Sequence, residues 1–177
     1  MQRYRFLVGA GLFTFIAASA ATPAAAQGIT DPQIAAIVVT ANQVDVDAGT
    51  LAQQRGSNAE VKAFGKQMVS AHTAVNKQAT ELVTKLGVKP EDNPTAQSLK
   101  SGGEANVKTL SGLKGAAFDK AYIEHEVVYH QSVLDALDKT LIPGASNADL
   151  RALLEKARPS FEAHLQHARQ LQQSLTK

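Results

Sequence analysis

The chain has 177 residues, 44% of them hydrophobic and 19% charged, with no cysteine and a formal net charge of +2. The lack of cysteine excludes disulfides, thiolate metal sites and thiol catalysis. The surplus charge is Arg3 and Arg5; from residue 27 onward 16 basic side chains balance 16 acidic ones, so nothing electrostatic points to nucleic acid or an anionic membrane.

The first 26 residues read as a secretory signal peptide. MQRYR is a short basic start, FLVGAGLFTFIAASAA is an apolar run shorter than a comfortable membrane span, and Ala24-Ala25-Ala26 offers an A-x-A cleavage pattern before Gln27. Residues 27–177 then suit one exported, periplasmic domain with no further apolar segment able to span a membrane. They keep five aromatic side chains (Phe64, Phe118, Tyr122, Tyr129 and Phe161), all in helical patterns, which leaves no platform for stacking nucleic-acid bases.

The first helix is expected over about residues 31–55, with Asp31 as its N-cap, Pro32 at its first helical position and Gly56 as its stop. Its seam reads Ile34, Val38, Ala41, Asp45, Ala48 and Ala52, alternating steps of four and three that suit a bundle. The second helix begins at the capping-box pattern Ser57-Asn58-Ala59-Glu60 and ends near Leu86, before Gly87. Its seam is Val61, Phe64, Met68, His72, Val75, Ala79, Leu82 and Leu86, and the short turn before it predicts an antiparallel hairpin.

Residues 87–115 form a long connection with room for an extra short helix from Pro94 to about Leu113, with Leu99, Val107 and Leu110 as its apolar positions. Gly102-Gly103 weakens that helix. A third seam helix, over about 116–141 and closed by Pro143-Gly144, carries Ile123, Val127, His130, Leu134, Leu137 and Leu141. The fourth starts near Ser146-Asn147-Ala148-Asp149 and runs to about Leu175 with Leu150, Leu154, Ala157, Phe161, His164, Ala168, Leu171 and Leu175. Pro159 is expected to kink or bulge it. No strand pattern competes, so the fold class is all-α: a four-helix bundle with a long second-to-third connection.

Each seam is interrupted by one ionisable side chain: Asp45, His72, His130 and His164. Polar groups in a seam are costly without partners, which suggests a shared polar site. A helical rise of about 1.5 Å per residue puts Asp45 and His72 about 8 Å out of level, and His130 and His164 about 9 Å. Three neutral imidazoles and a carboxylate suit one Zn(II), Cu(II) or Fe(II) ion, with Asp45 as ligand or orienter. The competing reading is a buried hydrogen-bond network that sets bundle register. His125 and His167 are expected to face solvent, although His167 is three residues after His164 and could join a site from its edge. Glu126, four residues before His130, either orients that ring or lies on a solvated face. Tyr122 and Phe118 are expected to pack in the core and Asp119 to serve as a cap or surface contact.

Asp45-Val-Asp-Ala-Gly49, the stretch from Ser57-Asn-Ala-Glu-Val61 through Phe64 and Met68 to His72, Phe118-Asp119-Lys-Ala-Tyr122 with His130, and Pro159 with His164-Leu165 together resemble the DUF4142 family of exported bacterial proteins. The resemblance spans about residues 31–175 and implies a ferritin-like fold with no settled activity. Relatives usually carry an acid before the second-helix histidine, where this chain has Ala71. Ferritin-type di-iron sites use Glu-x-x-His on two helices, but His72 is preceded at that spacing by Val69 and His164 by Phe161. The expected function is therefore an exported bundle protein with no catalytic residues, holding one metal ion through its inward histidines. The alternatives are a metal-free structural or interaction module, stress-related by family association, with a protein partner or a second copy; and, less favoured, a non-haem iron oxidase.

Overall fold

The computed structural model describes residues 28–176, and the expected signal peptide lies outside them. Every regular element described is helical: α1 Asp31–Arg55, α2 Ala59–Lys85, α3 Pro94–Ser111, α4 Gly115–Ala136, α5 Ile142–Gly144 and α6 Ala148–Ser174, with a π-helical turn at Leu137–Leu141 between α4 and α5. The hairpins α1–α2 and α4–α6 pack together, α2 against α6 and α1 against α4. No described helix is long and apolar enough to cross a membrane.

The connection that the sequence leaves weakly defined is a full helix. Asn93 caps α3 by accepting from Ala96 N–H, and its amide donates to the Gln33 carbonyl near the start of α1. At the other end Arg55 donates to the carbonyls of Ser111 (2.7 Å) and Leu113 (3.1 Å). These ties make α3 run parallel to α1, so it returns the chain to the end of the bundle where α4 begins. Gly103 faces α1 so closely that a Cβ there would stand 2.6 Å from Val44 Cγ2. The glycine that weakens the helix locally is what lets it lie on α1.

The helix ends differ from expectation in instructive ways. Thr30, not Asp31, caps α1, in a reciprocal box with Gln33. The Asp31 carboxylate instead accepts from Ser146 N–H (2.8 Å) and Asn147 N–H (3.0 Å), in the turn before α6. Asp119, near the start of α4, does the same for the turn before α2, accepting from Ser57 N–H and Asn58 N–H at 2.9 Å and from the Ser57 hydroxyl. Asn58 and Asn147 cap α2 and α6. Each hairpin's turn is thus held by an acid from the other hairpin, which fixes their relative register.

Two prolines also behave differently. The helix passes through Pro143-Gly144 and stops at Ala145. A proline ring clashes with the carbonyl four residues back, and the π turn just before Pro143 is where the wider coil relieves that crowding. Pro159 does not interrupt α6, which stays α-helical throughout. Pro159 and Glu155, whose carbonyl loses its donor, are both exposed, so water can serve that carbonyl.

The apolar core is split. One cluster gathers Ile34, Ile37, Leu134, Leu137, Leu150, Leu154 and Phe161; the other gathers Ala48, Ala52, Val61, Phe64, Met68, Phe118, Tyr122 and Leu171. Beside the second cluster a glycine contact draws α1 and α2 together. A Cβ on Gly65 would lie 2.7 Å from the Gly49 carbonyl oxygen and 2.9 Å from Ala52 Cβ. We expect Gly65→Ala to lower stability by about 1–3 kcal/mol through overpacking. Gly102→Ala, where a Cβ meets nothing within 4 Å, should raise it by about 0.5–1 kcal/mol through helix propensity. Thermal melts of the two variants check both signs.

Candidate metal centre

The gap between the apolar clusters is filled by polar side chains: Asn42 and Asp45 from α1, His72 from α2, Glu126 and His130 from α4, and His164 from α6. All are buried, none more than 5% exposed. The three imidazole centroids are separated by 5.6 Å (His72–His130), 5.3 Å (His72–His164) and 5.4 Å (His130–His164), a nearly equilateral triangle. Each offers a ligand atom within 4.8 Å of the others, and a second group of that spacing joins Asp45, Glu126 and His130.

All four residues singled out from the sequence therefore meet at one level, despite the offset expected from helical rise. Two features close the gap. The α4–α6 turn is centred near Ser146 rather than Gly144, because the helix continues to Ala145; this moves the reference point toward His164. In addition, helical side chains lean toward their own N-terminus. In both hairpins the first residue leans away from the turn and the second toward it, which brings His72 down to Asp45 and His164 down to His130.

Hydrogen bonds orient two of the three rings. The Asn42 amide donates to the Val38 carbonyl at 2.8 Å, so its oxygen accepts from His72 Nδ1 at 2.8 Å, leaving the His72 Nε2 lone pair. His130 Nδ1 faces two acceptors, the Glu126 carbonyl at 3.1 Å and a Glu126 carboxylate oxygen at 3.3 Å, so it carries a proton and Nε2 is the nitrogen turned away from Glu126. His72 Nε2, His130 Nε2 and His164 Nδ1 are all buried without a hydrogen-bond partner. Such groups are costly in a core and call for an explanation. Asp45 Oδ2 stands 3.4 Å from His72 Nε2, close to the separation of about 3.4 Å between two ligands of a tetrahedral ion with bonds of about 2.0–2.1 Å.

Burial and neighbouring histidines keep two of the three rings neutral, and the third is protonated. Burial, then the neighbouring His130 and His164, holds the His72 pKa down to about 2. Burial, then His130 and His167, lowers that of His164 to about 4. For His130 burial also lowers the pKa, but the Glu126 hydrogen bond and the charges of Asp45 and Glu126 outweigh it and raise the value to about 9. Burial and then the adjacent Glu126 charge push Asp45 well above the usual carboxylate value. A carboxylate behind a ligating histidine is the usual orienting partner, and it raises the basicity of the ring. Glu126 is placed for that role toward His130.

Glu126 belongs to the site, and the reading of it as a solvated face is overturned: it is 0% exposed. Its signal in the sequence was its place on the Ile123–His130 face of α4. Asn42 was missed altogether; it sits three residues before Asp45, where an α1 side chain shares the same face. His125 and His167 are half-buried rather than solvent-facing. His125 stacks on Tyr129 at 5.6 Å, and His167 meets the edge of Phe64 at 5.1 Å. Tyr122 and Phe118 are core residues as expected, and Asp119 is a buried cap on the other hairpin's turn.

A family described as a domain of unknown function, DUF4142, matches residues 16–171, which include all of α1–α5 and most of α6. The chain belongs to the DUF4142 family. No curated protein and no solved structure matches it. Membership of DUF4142 assigns no activity.

The titrations give a pH dependence for the metal-free protein. Between pH 6.5 and about 4 the unfolded chain protonates His72 and His164, while the folded chain keeps both neutral, so stability falls as pH drops. Asp45 opposes this, because the folded chain holds a proton that the unfolded chain loses above pH 3.8. His130, raised to about 9, is charged in both states below pH 6.5 and adds no slope there. Melting temperature should therefore decline with acid over this window, more steeply in Asp45→Asn and less steeply in His164→Asn.

Proposed function

We propose that this DUF4142 protein is an exported helical-bundle protein that binds one divalent transition-metal ion through His72, His130 and His164, with Asp45 as fourth ligand and Glu126 as the orienting partner of His130. The observation that carries the reading is the convergence of three buried imidazole nitrogens without hydrogen-bond partners beside a buried carboxylate. An ion at their centre would satisfy all three and neutralise the carboxylate, whereas a purely structural network leaves them unpaired. Three imidazoles and a carboxylate suit Zn(II), Cu(II) or Fe(II). Asp45 and His130 each give up a proton on loading, so binding strengthens as pH rises. The basic-apolar-small pattern of residues 1–26 supports export to the periplasm with cleavage before Gln27.

The competing reading, a metal-free module whose polar band only sets helix register, draws on the Asn42–His72 and Glu126–His130 bonds, which join ring to helix without any ion. Metal analysis separates the two. Protein soaked with Zn(II), Cu(II) or Fe(II) and desalted should retain one equivalent of at least one ion, with a raised melting temperature. His72→Ala/His164→Ala should retain only background. If wild type and the double variant retain equally little, the metal reading fails and the register reading stands. Mass spectrometry of the exported protein should find Gln27 at its N-terminus.

A further inference from the structure

The buried cluster has one side nearer to water than the others. His164 is 5% exposed, against 1% for His72 and 0% for His130. One turn further along α6, on the same face, stands His167; side chains three apart on a helix are neighbours. His167 is half-buried, its ring held edge-on against the fully buried Phe64 and its Nδ1 3.2 Å from Gln67 Oε1 on α2. With the amide oxygen accepting, Nδ1 carries the proton and Nε2 keeps its lone pair. The ring also lines a surface cavity of about 360 Å³ shared with Glu60, Gln170 and Ser174. It thus borders solvent on one side and lies one helical turn beyond His164 on α6.

The other half-buried imidazole has no such position. His125 Nε2 is buried without a partner, and its ring stacks on Tyr129 at 5.6 Å, while Tyr129 meets His130 edge-on at 6.1 Å. The Tyr129 hydroxyl, the one group on that ring that could ligate, is instead bonded to the Ala41 carbonyl at 2.9 Å.

We propose that His167 is a relay ligand: a divalent metal ion is taken from solvent at His167 Nε2 and passed to His164, and it leaves by the same route. The inference rests on the metal-binding reading above. The α2–α6 face carrying Gln67 and His167 is then the mouth of the site. A ligand on the path but outside the final coordination shell lowers the barrier in both directions and leaves the equilibrium unchanged. Its removal therefore slows uptake and loss by the same factor.

The test uses the full protein and Zn(II) alone. Stopped-flow mixing measures uptake, transfer to excess EDTA measures loss, and competition with a chromophoric chelator measures Kd. For His167→Gln the expected result is a slowing of both rates by about tenfold, with Kd and melting temperature unchanged, while His125→Gln matches wild type. Unchanged rates in His167→Gln overturn the relay and leave the metal site standing. Faster loss with unchanged uptake and weaker Kd also overturns it, because His167 would then be a ligand of the resting site. Wild-type protein that retains no Zn(II), Cu(II) or Fe(II) removes the metal reading and the relay with it.

Discussion

Asp45, His72, Glu126, His130 and His164 are packed between two apolar clusters where water does not reach them, and the desolvation of those side chains is the constraint that the rest of the structure answers to. A buried polar atom without a partner costs on the order of 1–3 kcal/mol, and a buried charge costs more. The fold answers in part with hydrogen bonds from Asn42 and Glu126 and in part by holding His72 and His164 neutral. What remains without hydrogen-bond partners is one nitrogen on each of three clustered imidazoles, together with the Glu126 carboxylate and the Tyr122 hydroxyl. A cation is the simplest group that satisfies the three nitrogens at once.

The scaffold around this band is built to keep its register. Close approach at Gly49 and Gly65 holds α1 on α2, and Gly103 holds α3 on α1. Asp31 and Asp119 tie each hairpin's turn to a helix start in the other hairpin. A slip of one helical position at either tie would move a histidine out of the triangle by about 1.5 Å along the axis and turn it by about 100°. The same ties therefore serve the stability of the bundle and the geometry of its polar centre.

The polar band also explains why this bundle differs from a carboxylate-rich di-iron centre. At the positions where Glu-x-x-His would place two further carboxylates stand Val69 and Phe161. Phe161 instead lies 5.2 Å from the His72 ring and 6.3 Å from His130 and His164. It closes the apolar side of the triangle, which is therefore richer in imidazole than in carboxylate and suited to a single ion of borderline softness.

Much of this was legible in the amino-acid order, because heptad spacing records which side of a helix is buried. The all-α bundle, the paired hairpins and the four seam interruptions at Asp45, His72, His130 and His164 all follow from local periodicity. Spacing along single helices could not say whether those four residues share a level, since that depends on where a turn is centred and on the N-terminal lean of helical side chains. Nor could it show that Glu126 turns inward, that Asn42 fixes the His72 tautomer, or that Asp31 and Asp119 cap turns in the opposite hairpin. Each of these depends on how the helices pack against one another, and only the tertiary structure decides them.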